Sequence, residues 1–249
     1  MSAPAPWGAA TRAQAAMELR LTARRGENLL AMVVIPAVVL VFFATSSLLT
    51  VPGRTAVAFL LPGSLALAVI AAGLVNLGIA TAYERSYGVL KRLGGSPLGR
   101  TGLLTAKATS VAVIVALQAT LLFAIAIVVL GWRPEPGMTP ALVLVALVLG
   151  TVTFTALGLL LAGTLRAEGT LALANGLFIG AMLVGGIIVP TSHLPPVLAA
   201  LSDWLPAAAL SEMLRVAFGQ TGDLPRAVGV LAAWGLGAIL LTVRTFRWD

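Results

Sequence analysis

The chain has 249 residues, 59% hydrophobic and only 10% charged, with a mean hydropathy of +1.02 and a formal net charge of +7. A soluble domain carries about 25% charged residues, so this composition excludes one and describes an all-α polytopic membrane protein, with no polar stretch long enough to bury a second core. The lack of cysteine and the single histidine, His193, exclude disulfides, thiolate metal sites and a metal centre built from histidines alone.

Residues 1–28 form the expected cytoplasmic N-terminus. The first ten, rich in Ala and Pro, are predicted to be disordered. Residues 11–27 favour a helix, but Arg20 and Arg24 interrupt its apolar positions Met17 and Leu21, so it reads as a surface helix in the interface plane. Residues 29–249 make up the membrane domain. Spans are predicted at about 29–49, 56–82, 103–130, 141–165, 170–189 and 226–243. The first contains Pro36, which neighbours can accommodate by re-satisfying the freed carbonyl. It lacks a small-residue cleavage site and is followed by further spans, so it reads as a retained helix. Residues 51–54 read as a tight turn. The second span contains Pro62 and Asn76, and Trp132 in the 131–140 loop is expected at interface depth. The fifth contains Asn175 and the spacing Gly176-x-x-x-Gly180, which permits close helix approach, either inside one subunit or at a subunit interface.

Six spans put both termini on one side. With the termini cytoplasmic, twelve Lys and Arg residues fall on that side (Arg12, Arg20, Arg24, Arg25, Arg85, Lys91, Arg92, Arg100, Lys107, Arg166, Arg244 and Arg247) and four on the other. That asymmetry fixes the expected orientation, and it makes the positive charge topology information rather than a nucleic-acid surface.

Two polar segments stand out. Residues 83–100, YERSYGVLKRLGGSPLGR, separate spans two and three. On a helical projection Tyr83, Ser86, Tyr87, Val89, Leu90 and Leu93 share one half, while Glu84, Arg85, Lys91 and Arg92 share the other. Gly94-Gly95 supplies a stop, and Ser96-Pro97 a new start. The segment is either a short amphipathic helix outside the hydrocarbon or a charged loop that holds the cytoplasmic side.

Residues 190–225 join the outer ends of spans five and six, and prolines 190, 195, 196, 206 and 225 cut them into short pieces. The alternatives are an extracellular loop and a re-entrant pair of half-spanning helices of about ten residues each. In the second case Asp203 and Trp204 sit near the turn, and Glu212 and Arg215, three apart, can pair.

The spans hold no cluster of ligands, no base and no partnered nucleophile. Neither Lys91 nor Lys107 follows the glycine of a phosphate-binding loop. Carboxylates at mid-membrane, usual in ion-driven carriers, are missing as well. Asn76, Gln118 and Asn175 are the main large polar side chains inside the spans, to be used in hydrogen bonds between helices or in contact with a transported molecule.

Three segments in order are similar to the ABC type-2 export permeases. Arg24-Arg25-Gly26-Glu27-Asn28 before an apolar helix with Pro36 resembles the family's entry into its first span. Glu84-Arg85-Ser86-Tyr87-Gly88-Val89-Leu90-Lys91-Arg92-Leu93 with Pro97 resembles its coupling helix, although Ser86 stands where many members have a second glutamate. Val189-Pro190-x-x-x-Leu194-Pro195, Leu205-Pro206 and Glu212-x-x-Arg215 resemble its outer re-entrant pair.

The resemblance implies a permease subunit with no cofactor of its own, driven by two separate ATPase subunits that hold ATP and Mg²⁺. Glu84, Arg85, Tyr87, Leu90, Lys91 and Arg92 would contact the ATPase. A second permease chain, identical or similar, would meet Gly176 and Gly180. The outer segment would comprise Pro190, Leu194, Pro195, Trp204, Pro206, Glu212 and Arg215. The implied cargo is a hydrophobic or amphiphilic drug, antibiotic or lipid, since a charge at mid-bilayer costs roughly 2.5–3.5 kcal/mol. Export of a polysaccharide or glycolipid, and a non-transporting scaffold, are the alternatives.

Overall fold

The computed structural model describes residues 6–24, 26–46, 55–94, 98–188 and 190–246, and all regular structure among them is helical. The order is α1 (Trp7–Arg24), α2 (Gly26–Thr45), α3 (Ala56–Ser86, with a π-helical stretch Ala71–Asn76) and the short α4 (Val89–Gly94). Then come α5 (Gly99–Ala124, continued by a π-helical Ile125–Val129), α6 (Pro140–Thr164), α7 (Ala167–Val184), α8 (Pro196–Ser202), α9 (Pro206–Ala217) and α10 (Leu224–Thr245). Among the described residues α3, α5, α6, α7 and α10 are long and apolar enough to cross a membrane. The 20 residues of α2 rise about 30 Å, and within them Met32–Thr45 forms a shorter apolar stretch.

α3 is the axis of the bundle. It is apolar on every side, the pattern of a helix with no solvent face, and its most apolar stretch is entirely buried. The helices around it are apolar outward as well: Leu117, Val128, Leu144, Val148, Leu183 and Leu240 are exposed, a surface that suits lipid and not water.

Packing against α3 is backbone on backbone. A Cβ on Gly158 of α6 would lie 2.3 Å from the Gly73 carbonyl oxygen, and one on Gly73 would lie 2.9 Å from the Thr155 nitrogen. Only glycine fits at that crossing. Side-chain hydrogen bonds add ties between helices: Gln118 Nε2 donates to the Met32 carbonyl at 2.9 Å, and Thr153 Oγ1 to that of Leu231 at 3.2 Å.

The structure departs from the sequence reading in several places. α1 begins at Trp7, not at residue 11, and its inward positions, Thr11, Ala15 and Glu18, face the base of α5. Polar and small residues carry this contact, so hydrophobic periodicity does not register it. Trp132 is buried in a cluster with Phe123 and Phe218, at ring-centroid separations of 6.2 and 5.7 Å, a packing that does not bear on its expected interface depth.

The amphipathic helix expected over 83–93 is two pieces. α3 runs on through Ser86, and Gly88, at φ +72°, takes the left-handed conformation that ends it before α4. The proposed turn at 51–54, the helix stop at Gly95 and the start at Ser96-Pro97 lie outside the described residues. Residues 190–225 hold two short helices, unequal where about ten residues each were expected: α8 has 7 residues and α9 has 12, bent by 78°. Neither reaches across a bilayer, at about 10 and 18 Å.

Candidate coupling surface, cavity and distal lock

Near α4 the predicted residues divide into an internal set and an exposed set. Glu84, in the last turn of α3, points inward: Lys107 Nζ lies 2.7 Å from its Oε2 and 3.0 Å from Glu18 Oε1. Gln14 Nε2 donates to the same Glu18 oxygen at 2.9 Å. Lys107 is 1% exposed, so this is a buried triad in which one cation on α5 holds two carboxylates, from α1 and α3. The charges compensate in part, and each carboxylate receives a charge-assisted bond.

Arg85 donates to the carbonyl of Leu165, where α6 passes into α7. Leu90 is 0% exposed and packs with Leu98 and Leu103. Glu84 and Leu90, read from the sequence as docking contacts, are therefore internal braces. The exposed set is Tyr87, at 74%, with Val89, Lys91 and Arg92. Together they form an aromatic and basic patch, which suits a groove lined with carboxylates.

Between α2, α3 and α7 lies a cavity of about 560 Å³, lined by Met32, Val75, Ile79, Phe178 and Met182 together with Asn76 and Asn175. Asn76 ends the π-helical stretch of α3. Of the three intramembrane amides, only Gln118 bonds another helix; neither Asn76 nor Asn175 has a side-chain hydrogen-bond partner among the described residues. Gly176 and Gly180 face a different groove of about 420 Å³, toward α6 and α10. A Cβ on either would meet nothing within 4 Å, so this spacing does not serve close packing inside the subunit.

At the far end of the bundle Arg226 takes the central place. Its guanidinium lies 2.9 Å from Glu212 and 3.1 Å from Asp203, tying α10 to α9 and to the α8–α9 turn. Glu212 thus pairs with Arg226, not with Arg215 as the spacing suggested. Arg215 donates to the Gly186 carbonyl and lies 4.2 Å over the Phe59 ring, which fastens α9 to the start of α3.

The exposed Trp204 sits in the α8–α9 turn, and its carbonyl accepts from Trp234 Nε1 at 2.9 Å. Pro196 and Pro206 open α8 and α9 at positions where no backbone donor is needed. Pro190 precedes a short 3₁₀ turn, and Leu194 with Pro195 leads from that turn into α8.

A family model of the ABC-2 type transporter matches residues 10–218, a stretch that includes α4, every wall of the cavity and the α8–α9 pair. The chain belongs to the ABC-2 type transporter family. A search of curated proteins finds no match. Membership makes the chain a transmembrane permease subunit of an ABC transporter, the membrane part and not the ATPase.

In the permease the α4 patch and the cavity share α3, the helix that leads from one to the other. The sequence reading missed Glu18 and Lys107 as partners of Glu84. The available signal was Lys107 itself, a lysine inside the predicted third span, which needs a buried anion.

Proposed function

We propose that the chain is the permease of an exporter that carries a hydrophobic or amphiphilic molecule out of the cytoplasm or inner leaflet. A separate ATPase docks on Tyr87, Val89, Lys91 and Arg92. The observation that carries this reading is the sorting of residues around α4: one set is bare, and the set behind it is wired into the bundle. Two permease chains and two ATPase subunits form the working unit, and ATP and Mg²⁺ belong to the ATPase.

A push on α4 enters α3 through the Tyr87–Gly88 joint. The Glu18–Lys107–Glu84 triad makes α1, α3 and α5 move as a block. Arg85 passes the displacement to the α6–α7 junction, and so to α7, which forms one wall of the cavity.

The test is a variant carrying Tyr87→Ala, Lys91→Glu and Arg92→Glu. All three side chains are exposed, so the variant is expected to fold and melt like the native chain. It should lose association with the ATPase in a pull-down from detergent-solubilised membranes. Native recovery of the ATPase by this variant would refute the docking surface.

A further inference from the structure

Asn76 and Asn175 are the polar groups in the cavity between α2, α3 and α7 for which the fold supplies no use. They stand on different helices, line the same space, and have no hydrogen-bond partner among the described residues. An unpartnered amide facing hydrocarbon is costly, so two of them at one cavity call for an occupant that bonds to both.

The surroundings say what kind of occupant. The remaining lining is aliphatic, aromatic or thioether, from Met32, Ile35, Val75, Ile79, Phe178 and Met182, and no titratable side chain among the described residues lines the space. A ligand that brought a charge would find no counter-charge there. Carboxamides offer a donor and an acceptor each, which fits hydroxyl, ester or amide groups. The volume of about 560 Å³ lies in the range of small-molecule sites, as does the pattern of apolar walls with a few placed polar groups. A third feature is the position of Asn76 at the end of a π-helical stretch, a distortion found often at functional positions because it re-aims a side chain.

We infer that this cavity is a binding site for an uncharged amphiphile, whose hydroxyl, ester or amide head bonds to Asn76 and Asn175 while its chain lies against Phe178 and Met182. The inference rests on the permease reading and narrows its cargo to one chemical class. It also separates the two asparagines from the Gly176 and Gly180 groove, which lies on another side of α7.

The probe is a monoacylglycerol carrying a diazirine on its chain, with the full-length permease in lipid nanodiscs and no nucleotide. Saturable crosslinks are expected on Val75, Ile79, Phe178 and Met182. Unlabelled monoacylglycerol should compete, whereas oleate and oleylamine, with the same chain and a charged head, should not. Asn76→Leu with Asn175→Leu should lower the saturable yield about tenfold, the loss of roughly one to two hydrogen bonds. Asn175→Leu alone, on the exposed side of α7, carries the same test at smaller amplitude if the double variant is not monodisperse.

Equal competition by all three head groups would overturn the inference, and so would unchanged labelling in either variant. Weakened self-association with unchanged labelling would also overturn it, by assigning the amides to a subunit contact. None of these outcomes touches docking of the ATPase on α4, so the permease reading stands or falls separately.

Discussion

Gly158→Leu is expected to abolish recovery of a monodisperse protein. The Cβ alone would lie 2.3 Å from the Gly73 carbonyl oxygen and 3.2 Å from the Leu74 Cα, so the obstruction is backbone, not a side chain that can rotate away. Overpacking a site with adaptable neighbours costs about 1–3 kcal/mol; here α3 and α6 must separate along their length, which costs more. Gly158→Ala, which adds only the Cβ, should already lower the melting temperature in detergent. The contrast is Gly176→Leu with Gly180→Leu, where the Cβ atoms meet nothing within 4 Å. That pair should leave the subunit's own fold and melting intact, and any loss should appear in self-association alone. Size-exclusion chromatography and thermal melting of the variants check both halves. A monodisperse, normally melting Gly158→Leu protein would show that α3 and α6 are not in backbone contact.

Lys107→Ala is expected to be the most damaging truncation of a polar side chain. It removes the cation that both Glu18 and Glu84 contact, at 3.0 and 2.7 Å, and leaves two carboxylates facing one another in a site closed to solvent. Removing one partner of a buried ion pair costs about 3–5 kcal/mol, mostly for the charge left behind. Replacing all three charges, with Glu18→Gln, Lys107→Met and Glu84→Gln, removes the stranded charge and should recover most of the lost stability. Thermal melting of the single and triple variants in detergent measures this. Equal loss in both would mean that the contacts matter for shape rather than charge. No loss in Lys107→Ala would mean that the triad does not brace α1 against α3 and α5.

How far the sequence could be read depended on whether the deciding contact was local. α3 was legible because a run from Ala56 onward that is apolar on every side can only be buried or in lipid. The break between α8 and α9 was legible because Pro196 and Pro206 each start a helix where no donor is needed. The triad was not legible, since Glu18, Glu84 and Lys107 come from three helices and none of them shows the others in its own periodicity. In a chain with 26 glycines, Gly73 and Gly158 could not be told from Gly176 and Gly180, although the first two meet backbone and the last two meet open space. Glu212 and Arg215 were expected to pair from their spacing on one helix. Arg226, at the start of α10, reaches Glu212 instead, and Arg215 is drawn to the Gly186 carbonyl and the Phe59 ring. The segment from Glu84 to Arg92 was legible as a polar break between two spans, while its division into a bare face and a braced face came only with the fold.

The central claim is that an ATPase docks on the bare face of the α3–α4 junction. Because the chain contains no cysteine, single cysteines can be placed there without background. Tyr87→Cys and Glu84→Cys, each charged with a photoactivatable crosslinker in native membranes, compare an exposed position with a buried one three residues away. Docking on this face predicts an adduct between Tyr87→Cys and an ATP-hydrolysing subunit, with a yield that changes on adding nucleotide, and little or none from Glu84→Cys. Absence of any adduct with an ATP-hydrolysing subunit from Tyr87→Cys would contradict the claim.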